Sequence, residues 1–409
     1  MRYIVLGSSA AGINGVRTLR KYDKNAEIKL ISKDSDIYSR CILHHYLSGH
    51  RTKERLNFVE PDFERLYRVD WIKGKECTGV DVEKKCVLLE DGSSHSYDKL
   101  LIATGAHTFI PPVPHLKEAK NLVGFRNIDD IEILKEETKN CENIVVMGAG
   151  LVGMDCISGL LERGKKPVVV EMAGWALPKQ LDEKAALRYQ KKMEEKGVGQ
   201  YYGMGIKEAV LNEEGKITEL ILSDESRIPC DFLVVTAGVR PNVEFLKDSG
   251  IEVGRWGLVY DETGRTNVPD VYGAGDVSGL SPIWPVAVKE GIVAASNMTG
   301  RPAKMVDFFA SKSTMNFFGI PAMSLGRNQP EEGECVEISE TEHTYKKIIH
   351  HDGKIEGAVL VGDLNYGGIL QQLIARRIDI SKVKKPVFEI DYSDFFHTRE
   401  NFEYYYEGE

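Results

Sequence analysis

The residues most able to do chemistry stand close together in "YSRCILHHYLSG", residues 38–49. Cys41 follows Arg40, and His44 and His45 follow within one helical turn. A thiol beside a guanidinium has a lowered pKa and becomes a better nucleophile. An imidazole nearby can carry protons near neutral pH. The stretch therefore reads either as a redox cysteine site or as a small apolar residue that happens to contain sulfur. Two glycine turns form a second class of candidate. "GSSAAG" places Gly7, Ser9, Ala10, Ala11 and Gly12 where backbone N–H groups could meet a pyrophosphate at a helix N-terminus. "GAGLVG" places Gly148, Gly150 and Gly153 in the full G-x-G-x-x-G spacing.

An acid is expected at the end of the strand after such a turn, to accept bonds from a ribose. Glu171, eighteen residues past Gly153, meets that expectation and would repel a 2′-phosphate, favouring NADH over NADPH. At the first turn Ser32 stands in its place, with Lys33 and Asp34 after it, so a hydroxyl would have to serve. Asp155 lies one turn into the second helix, able to face a bound nicotinamide or to sit on a solvated face. Asp276, in "YGAGDV", could accept a bond from a flavin ribityl hydroxyl or cap the next helix. His350 and His351 are neighbours beside a hairpin turn and point to opposite faces of a strand, so they make no metal pair.

These side chains need a scaffold, and the pattern supplies one. "RYIVLG" to "AEIKLIS" and "NIVVMG" to "KPVVVE" each read strand, glycine turn, helix, strand within about 30 residues, the length of a right-handed βαβ unit. "YDKLLIATGAH" and "DFLVVTAGVRPN" read as further buried strands. From about residue 306 the pattern changes to strand, hairpin and helix, with Asp352-Gly353 as a two-residue turn. The last 23 residues, from Val387, hold seven acids against one arginine and read as an aromatic, acidic tail on a surface groove.

Composition sets outer limits. The chain has 409 residues, 42% hydrophobic and 28% charged, so two or three soluble domains are expected. A net charge of −9 argues against nucleic acid as a partner. No apolar run reaches the ~18 residues of a membrane span, and the N-terminus enters directly into a strand. The seven cysteines show no C-x-x-C spacing, which argues against a dithiol or metal knuckle and points to the cytoplasm.

The order of motifs is specific. Nucleotide turn, "ATG", second turn, "TAGVRPN", "TNVPDVYGAGDV" and "WPVAVKEGIVAASNMTG" resemble the FAD-dependent pyridine-nucleotide disulfide oxidoreductase superfamily over about residues 1–380. "YSR", "WPVAV" with "NMTG", and "NFFGIPAMSLG … GAVLVGD" resemble its branch of NADH:rubredoxin reductases and nitrite reductase large-subunit flavoproteins. The resemblance implies an α/β protein: two interleaved Rossmann-like, three-layer domains and a small C-terminal α+β domain. FAD would be bound by residues 1–112 and 241–305 and NADH by 113–240, with 306–386 as the C-terminal domain and 387–409 as the tail. It implies that Gly7, Ser9, Ala10, Ala11, Gly12, Ser32, Lys33, Arg40, Ala103, Thr104, Gly105, Gly275, Asp276 and Val286 lie along FAD. The loop Pro285 to Ala287 would bring backbone to the flavin. Gly148, Gly150, Leu151, Val152, Gly153, Asp155, Glu171 and Gly238 would lie along NADH. Asp155 departs from the usual glutamate by one methylene.

The function implied is an NADH-dependent FAD oxidoreductase passing electrons to a redox protein such as rubredoxin or to a partner subunit. A neighbouring branch, of peroxidases, oxidases and coenzyme A-disulfide reductases, carries a catalytic cysteine at the position of Cys41, on the helix leading from it. The residues after that cysteine are small in that branch, whereas Ile42 and Leu43 are bulky. Cys41 is therefore read as a bystander beside the flavin, with a thiol enzyme as the alternative and His45 as a proton carrier. A second alternative is an electron-transfer subunit that joins a larger complex through its tail.

Overall fold

A computed structural model describes residues 1–306 and 312–406; residues 307–311 and the acidic end of the expected tail, 407–409, lie outside the described residues. The chain divides into two units. The first comprises Met1–Pro111, Val123–Glu136 and Ala237–Val306. The second comprises Pro112–Leu122, Glu137–Thr236 and the described residues from 312 onward.

The first unit is built on β1 (Arg2–Leu6), α1 (Ala10–Tyr22) and β2 (Glu27–Ser32). Its sheet runs Val271–Gly273, Lys99–Ile102, β1, β2, Val69–Lys73, with every neighbouring pair parallel. Side chains alternate across a strand. Tyr3 and Val5 thus pack under α1 and the helix Trp284–Met298, while Ile4 and Leu6 pack on the opposite side with Val80, Val87 and Leu89 of a small antiparallel sheet. The result is three layers with both sheet faces covered, as parallel strands require. α1 and the helix Trp284–Met298 approach closely because Gly291 has no side chain: a Cβ there would stand 2.2 Å from the Ala11 carbonyl oxygen.

The second unit repeats the plan with β3 (Ile144–Met147), α2 (Leu151–Glu162) and β4 (Val168–Glu171). Gly199–Tyr202, β4, β3 and Phe232–Val235 run parallel. The same unit holds an antiparallel sheet, Ser313–Phe317, Ile320–Gly326, Lys354–Val361, Tyr345–His351, Cys335–Glu340, covered by the helix Gly367–Ala375. The turn at Asp352-Gly353 has φ of +46° and +71°, the paired positive angles that a two-residue hairpin needs. The sheet is tied to the repeat by a buried polar cluster. Lys347 Nζ lies 2.8 Å from Asp182, which also accepts the Tyr345 hydroxyl at 2.9 Å and caps the helix Glu183–Glu195.

Two features differ from the sequence reading. Residues 123–136 belong to the first unit, because Arg126 and Asn127 bond side chains there. The start of the expected tail is core: Val387, Ile390 and Phe395 are buried against the helix Gly367–Ala375, and only beyond them does a short hairpin, Phe396–Thr398 with Tyr404–Tyr406, begin.

Candidate functional site

The first unit encloses a cavity of about 450 Å³ at the C-terminal ends of β1, β2 and Lys99–Ile102. Parallel sheets bind ligands at this end. Its floor is the first glycine turn. Gly7 sits at φ +108°, and a Cβ on it would meet the Ala103 carbonyl oxygen at 2.1 Å. Gly12 has its absent Cβ 1.8 Å from the Gly7 carbonyl oxygen, so it lets α1 pack on the turn rather than face the cavity. Ser9 is the N-cap of α1 and makes no side-chain cap bond, and the first turn carries no acid. The helix N-terminus is thus left open to an anion.

Most of the residues singled out along the first nucleotide come together on this cavity: Gly7, Ser9, Ala10, Ala11, Ser32, Lys33, Arg40, Cys41, Ala103, Thr104, Gly105, Gly275 and Asp276 all line it. Thr104 and Gly105 are fixed by Asn242, which takes the Thr104 hydroxyl on its carbonyl at 2.9 Å and returns its side-chain amide to the Thr104 carbonyl at 2.8 Å. Arg40 pairs with Asp34 at 2.6 Å, reaches the Asn127 side chain at 3.3 Å and lies over the Tyr38 ring.

Three expectations change. Pro285 to Ala287 is not a loop but the first turn of the helix Trp284–Met298. Helical spacing brings Trp284 and Ala287 to the cavity wall and turns Val286 away from it. Cys41 is exposed and lies in the 3-10 turn Arg40–Ile42, ahead of the short helix Leu43–Ser48 rather than on it. His45 does not line the cavity; its ring lies 4.1 Å from that of His44. Burial, with His45 and Arg51 beside it, pushes His44 down to about 4, so it is neutral at pH 7.

The second glycine turn is a matching cradle. Gly148 has φ +108°, and a Cβ on Gly153 would stand 2.0 Å from the Gly148 carbonyl oxygen. A Cβ on Gly150 would meet nothing within 4 Å, which is the room a ligand's phosphates would need. Leu151 and Val152 open α2, whose N-cap Gly150 again brings no side-chain bond. The Glu171 carboxylate accepts the Ala149 N–H at 2.7 Å and the Ala173 N–H at 2.8 Å, holding the turn while keeping lone pairs for a ribose. Burial pushes the Asp155 carboxyl up to about 8. Gly238, at φ +115°, belongs to the first unit, beyond Thr236, whose hydroxyl bonds the Met147 and Gly148 carbonyls.

Comparison with known proteins agrees with two such cradles in one chain. Residues 1–291 match the model of the pyridine nucleotide-disulphide oxidoreductase family. The chain belongs to that family. It is an NADH-dependent oxidoreductase with FAD as its cofactor. Residues 312–378 match the rubredoxin NAD+ reductase C-terminal domain. An NADH oxidase of Methanocaldococcus jannaschii is 31% identical over 94% of this chain and 90% of its own. The epsilon subunit of the NADH-dependent phenylglyoxylate dehydrogenase of Aromatoleum evansii is 29% identical over 94% and 93%. The crystal structure of NADH:rubredoxin oxidoreductase from Clostridium acetobutylicum superposes with a TM-score of 0.77 at 25% identity, covering 94% of this chain and 97% of that one. No helix among the described residues is long and apolar enough to cross a membrane.

In this flavoprotein the cavity of the first unit fits a dinucleotide by its own features. It has a glycine floor, an uncapped helix end and a buried hydroxyl, Ser8 Oγ, with no hydrogen-bond partner among the described residues. Sequence reasoning passed over residues that brace its wall. Arg126 pairs with Asp276 at 2.5 Å and donates to the Ala106 carbonyl at 3.2 Å. Glu290 accepts the Gly275 N–H at 2.7 Å and the Tyr260 hydroxyl at 3.0 Å, with burial raising its carboxyl. The acid in a helix made mostly of small and apolar residues, beside Lys289, was the visible signal for Glu290. Nothing local marked Arg126, whose partner is 150 residues away.

Proposed function

We propose that the chain passes electrons from NADH, through FAD held in the cavity of the first unit, to a small redox protein such as rubredoxin or to a partner subunit. The observation that carries this reading is the C-terminal domain of the rubredoxin-reductase type, present in one chain with the two nucleotide cradles. Bound FAD supplies the hydride acceptor and the means of releasing electrons singly. The chain's own part is positioning. Gly7 to Ala11 and the N-terminus of α1, packed on the turn through Gly12, hold the pyrophosphate, with Arg40 near the flavin or its phosphate; Asp276 holds the ribityl chain, and Ala103 to Gly105 lie along the FAD. The N-terminal turn of the helix Trp284–Met298, which reaches the cavity through Trp284 and Ala287, would oppose with its amide dipole the charge that gathers on a reduced flavin. Gly150 and the N-terminus of α2 hold the NADH pyrophosphate, and Glu171 its ribose. The division into FAD-binding segments 1–112 and 241–305, an NADH-binding segment 113–240 and a C-terminal domain belongs to this proposal, as does a cytoplasmic site of action.

One observation favours a second reading. Cys41 is exposed on the cavity wall beside Arg40, where a thiolate could act on peroxide, oxygen or a disulfide. Arg40 is already engaged by Asp34, which weakens its pull on the thiol. Anaerobic titration with NADH separates the readings. Electron transfer alone gives bleaching of the flavin, unchanged in Cys41→Ser, with reduction of purified rubredoxin within about twofold of the parent. A long-wavelength charge-transfer band that disappears in Cys41→Ser, together with loss of peroxide reduction, would establish the thiol enzyme instead.

A further inference from the structure

The strand-end carboxylate that grips a ribose in the second unit is missing from the first, and the structure shows what stands there instead. Ser32 ends β2, is buried and lines the cavity. Its hydroxyl donates to the Asp34 carbonyl at 2.7 Å and accepts the Trp71 indole N–H at 2.9 Å. A hydroxyl has one proton and two lone pairs. With the proton committed and one lone pair taken, Ser32 can only accept, as a carboxylate does, but without charge. Ser8 lies in the turn itself, 4% exposed, on the same cavity, and its hydroxyl has no partner among the described residues. The corresponding residue of the second turn is Ala149, which has no hydroxyl and gives its N–H to Glu171. Acids at this end of the cavity are matched by cations: Asp34 by Arg40, Asp36 by Lys53 at 3.0 Å and Glu76 by Lys33 at 3.0 Å. β2 itself ends without the acid that Glu171 supplies at the end of β4.

We infer that the AMP half of FAD is held by two neutral hydroxyls in place of a carboxylate. Ser32 accepts a ribose hydroxyl, Ser8 donates to an oxygen of the AMP half, and Trp71 is a positioning residue that fixes the direction of the Ser32 lone pair. The inference rests on the reading that this cavity takes FAD.

Apoprotein prepared from the holoenzyme, titrated with FAD and with FMN, which lacks the AMP half, tests it. Ser8→Ala removes a buried hydroxyl that lacks a partner, so the apoprotein should melt at the same temperature or higher. Its Kd for FAD should nonetheless rise roughly five- to tenfold, the worth of one hydrogen bond. The Kd for FMN should not move. Trp71→Phe should weaken FAD as much as Ser32→Ala does, and the double variant should be no weaker than Ser32→Ala alone, since Trp71 acts through Ser32. FAD and FMN weakened alike would overturn the inference, as would additive losses in the double variant or a Ser8→Ala apoprotein with unchanged FAD affinity. A parent apoprotein that binds neither flavin would overturn the underlying reading instead.

Discussion

At Gly7 and at Gly148 the backbone takes the same φ, +108°. Both amides then donate to the second strand, Gly7 to Ile31 and Gly148 to Val170, each at 2.8 Å. Both helices start from an extended N-cap with no side-chain bond, Ser9 in one unit and Gly150 in the other. The two turns then part company at the end of the second strand. Glu171 clamps its own turn through Ala149 and Ala173, whereas Ser32 turns to Asp34 and Trp71 and leaves Ser8 unclamped. The first unit recovers its rigidity from farther away, through Arg126 on Asp276 and Glu290 on Gly275. The glycine spacing therefore specifies how a turn packs on its helix. What the turn grips is set by residues the spacing does not mention.

The largest effect should come from the shared part of the plan. Gly12→Val and Gly153→Val each drive a side chain into the carbonyl of the preceding turn. Each should cost roughly 3 kcal/mol or more, since neither backbone can yield without moving helix from strand. Gly150→Ala meets only open space and should leave the thermal midpoint within about 1 °C. In the proposed reading it should still weaken NADH, because the new methyl takes the ligand's room. Melting curves and NADH titration on the same variants would expose any glycine assigned to the wrong task.

Next in size is the brace found only in the first unit. Arg126 and Asp276 are 17% and 15% exposed, so removing one leaves the other charged and poorly hydrated. Arg126→Met should destabilise by about 2–4 kcal/mol. Asp276→Asn should be milder, because the amide can still accept a bond. Urea unfolding of the two variants would show equal losses if the pair merely contributes packing. In the second unit Glu171→Gln keeps one backbone acceptor and loses the charge. It should raise the Kd for NADH several-fold and narrow the preference over NADPH, read from the ratio of the two kcat/KM values.

What could be read in the sequence was local. The glycine turns, the strand that follows each on schedule, and the Asp352-Gly353 hairpin depend on neighbours a few residues apart, and all stand where the spacing places them. The residues that escaped notice act over long separations: Arg126 on Asp276, Trp71 on Ser32, Asn242 on Thr104. Cys41 meets the cavity as its place beside Arg40 suggests, but a 3-10 turn, Arg40–Ile42, separates it from the helix Leu43–Ser48 that carries His45, and His45 does not line the cavity. The start of the tail looked detachable because its acids are conspicuous, while Val387, Ile390 and Phe395 bury themselves at intervals too irregular to read as an element.

A pH-dependent effect separates the two helices themselves. Two residues past the last glycine, α1 carries Asn14, whose amide donates to the Ala10 carbonyl at 2.8 Å, and α2 carries Asp155. Burial holds the Asp155 carboxyl at about 8, against about 4 in an unfolded chain. Between those values the folded protein keeps a proton that the unfolded chain releases. Stability from this group is therefore complete below about pH 4, falls steadily as pH rises toward 8, and is constant above it. Asp155→Asn gives the second helix the residue type of the first and cannot titrate. The thermal midpoint of the parent should thus fall relative to the variant from pH 5 to pH 8 and run parallel to it from pH 8 to pH 9. Parallel curves across the whole range would mean that Asp155 is hydrated and ionised at neutral pH, and that the two helices differ in sequence there without differing in charge.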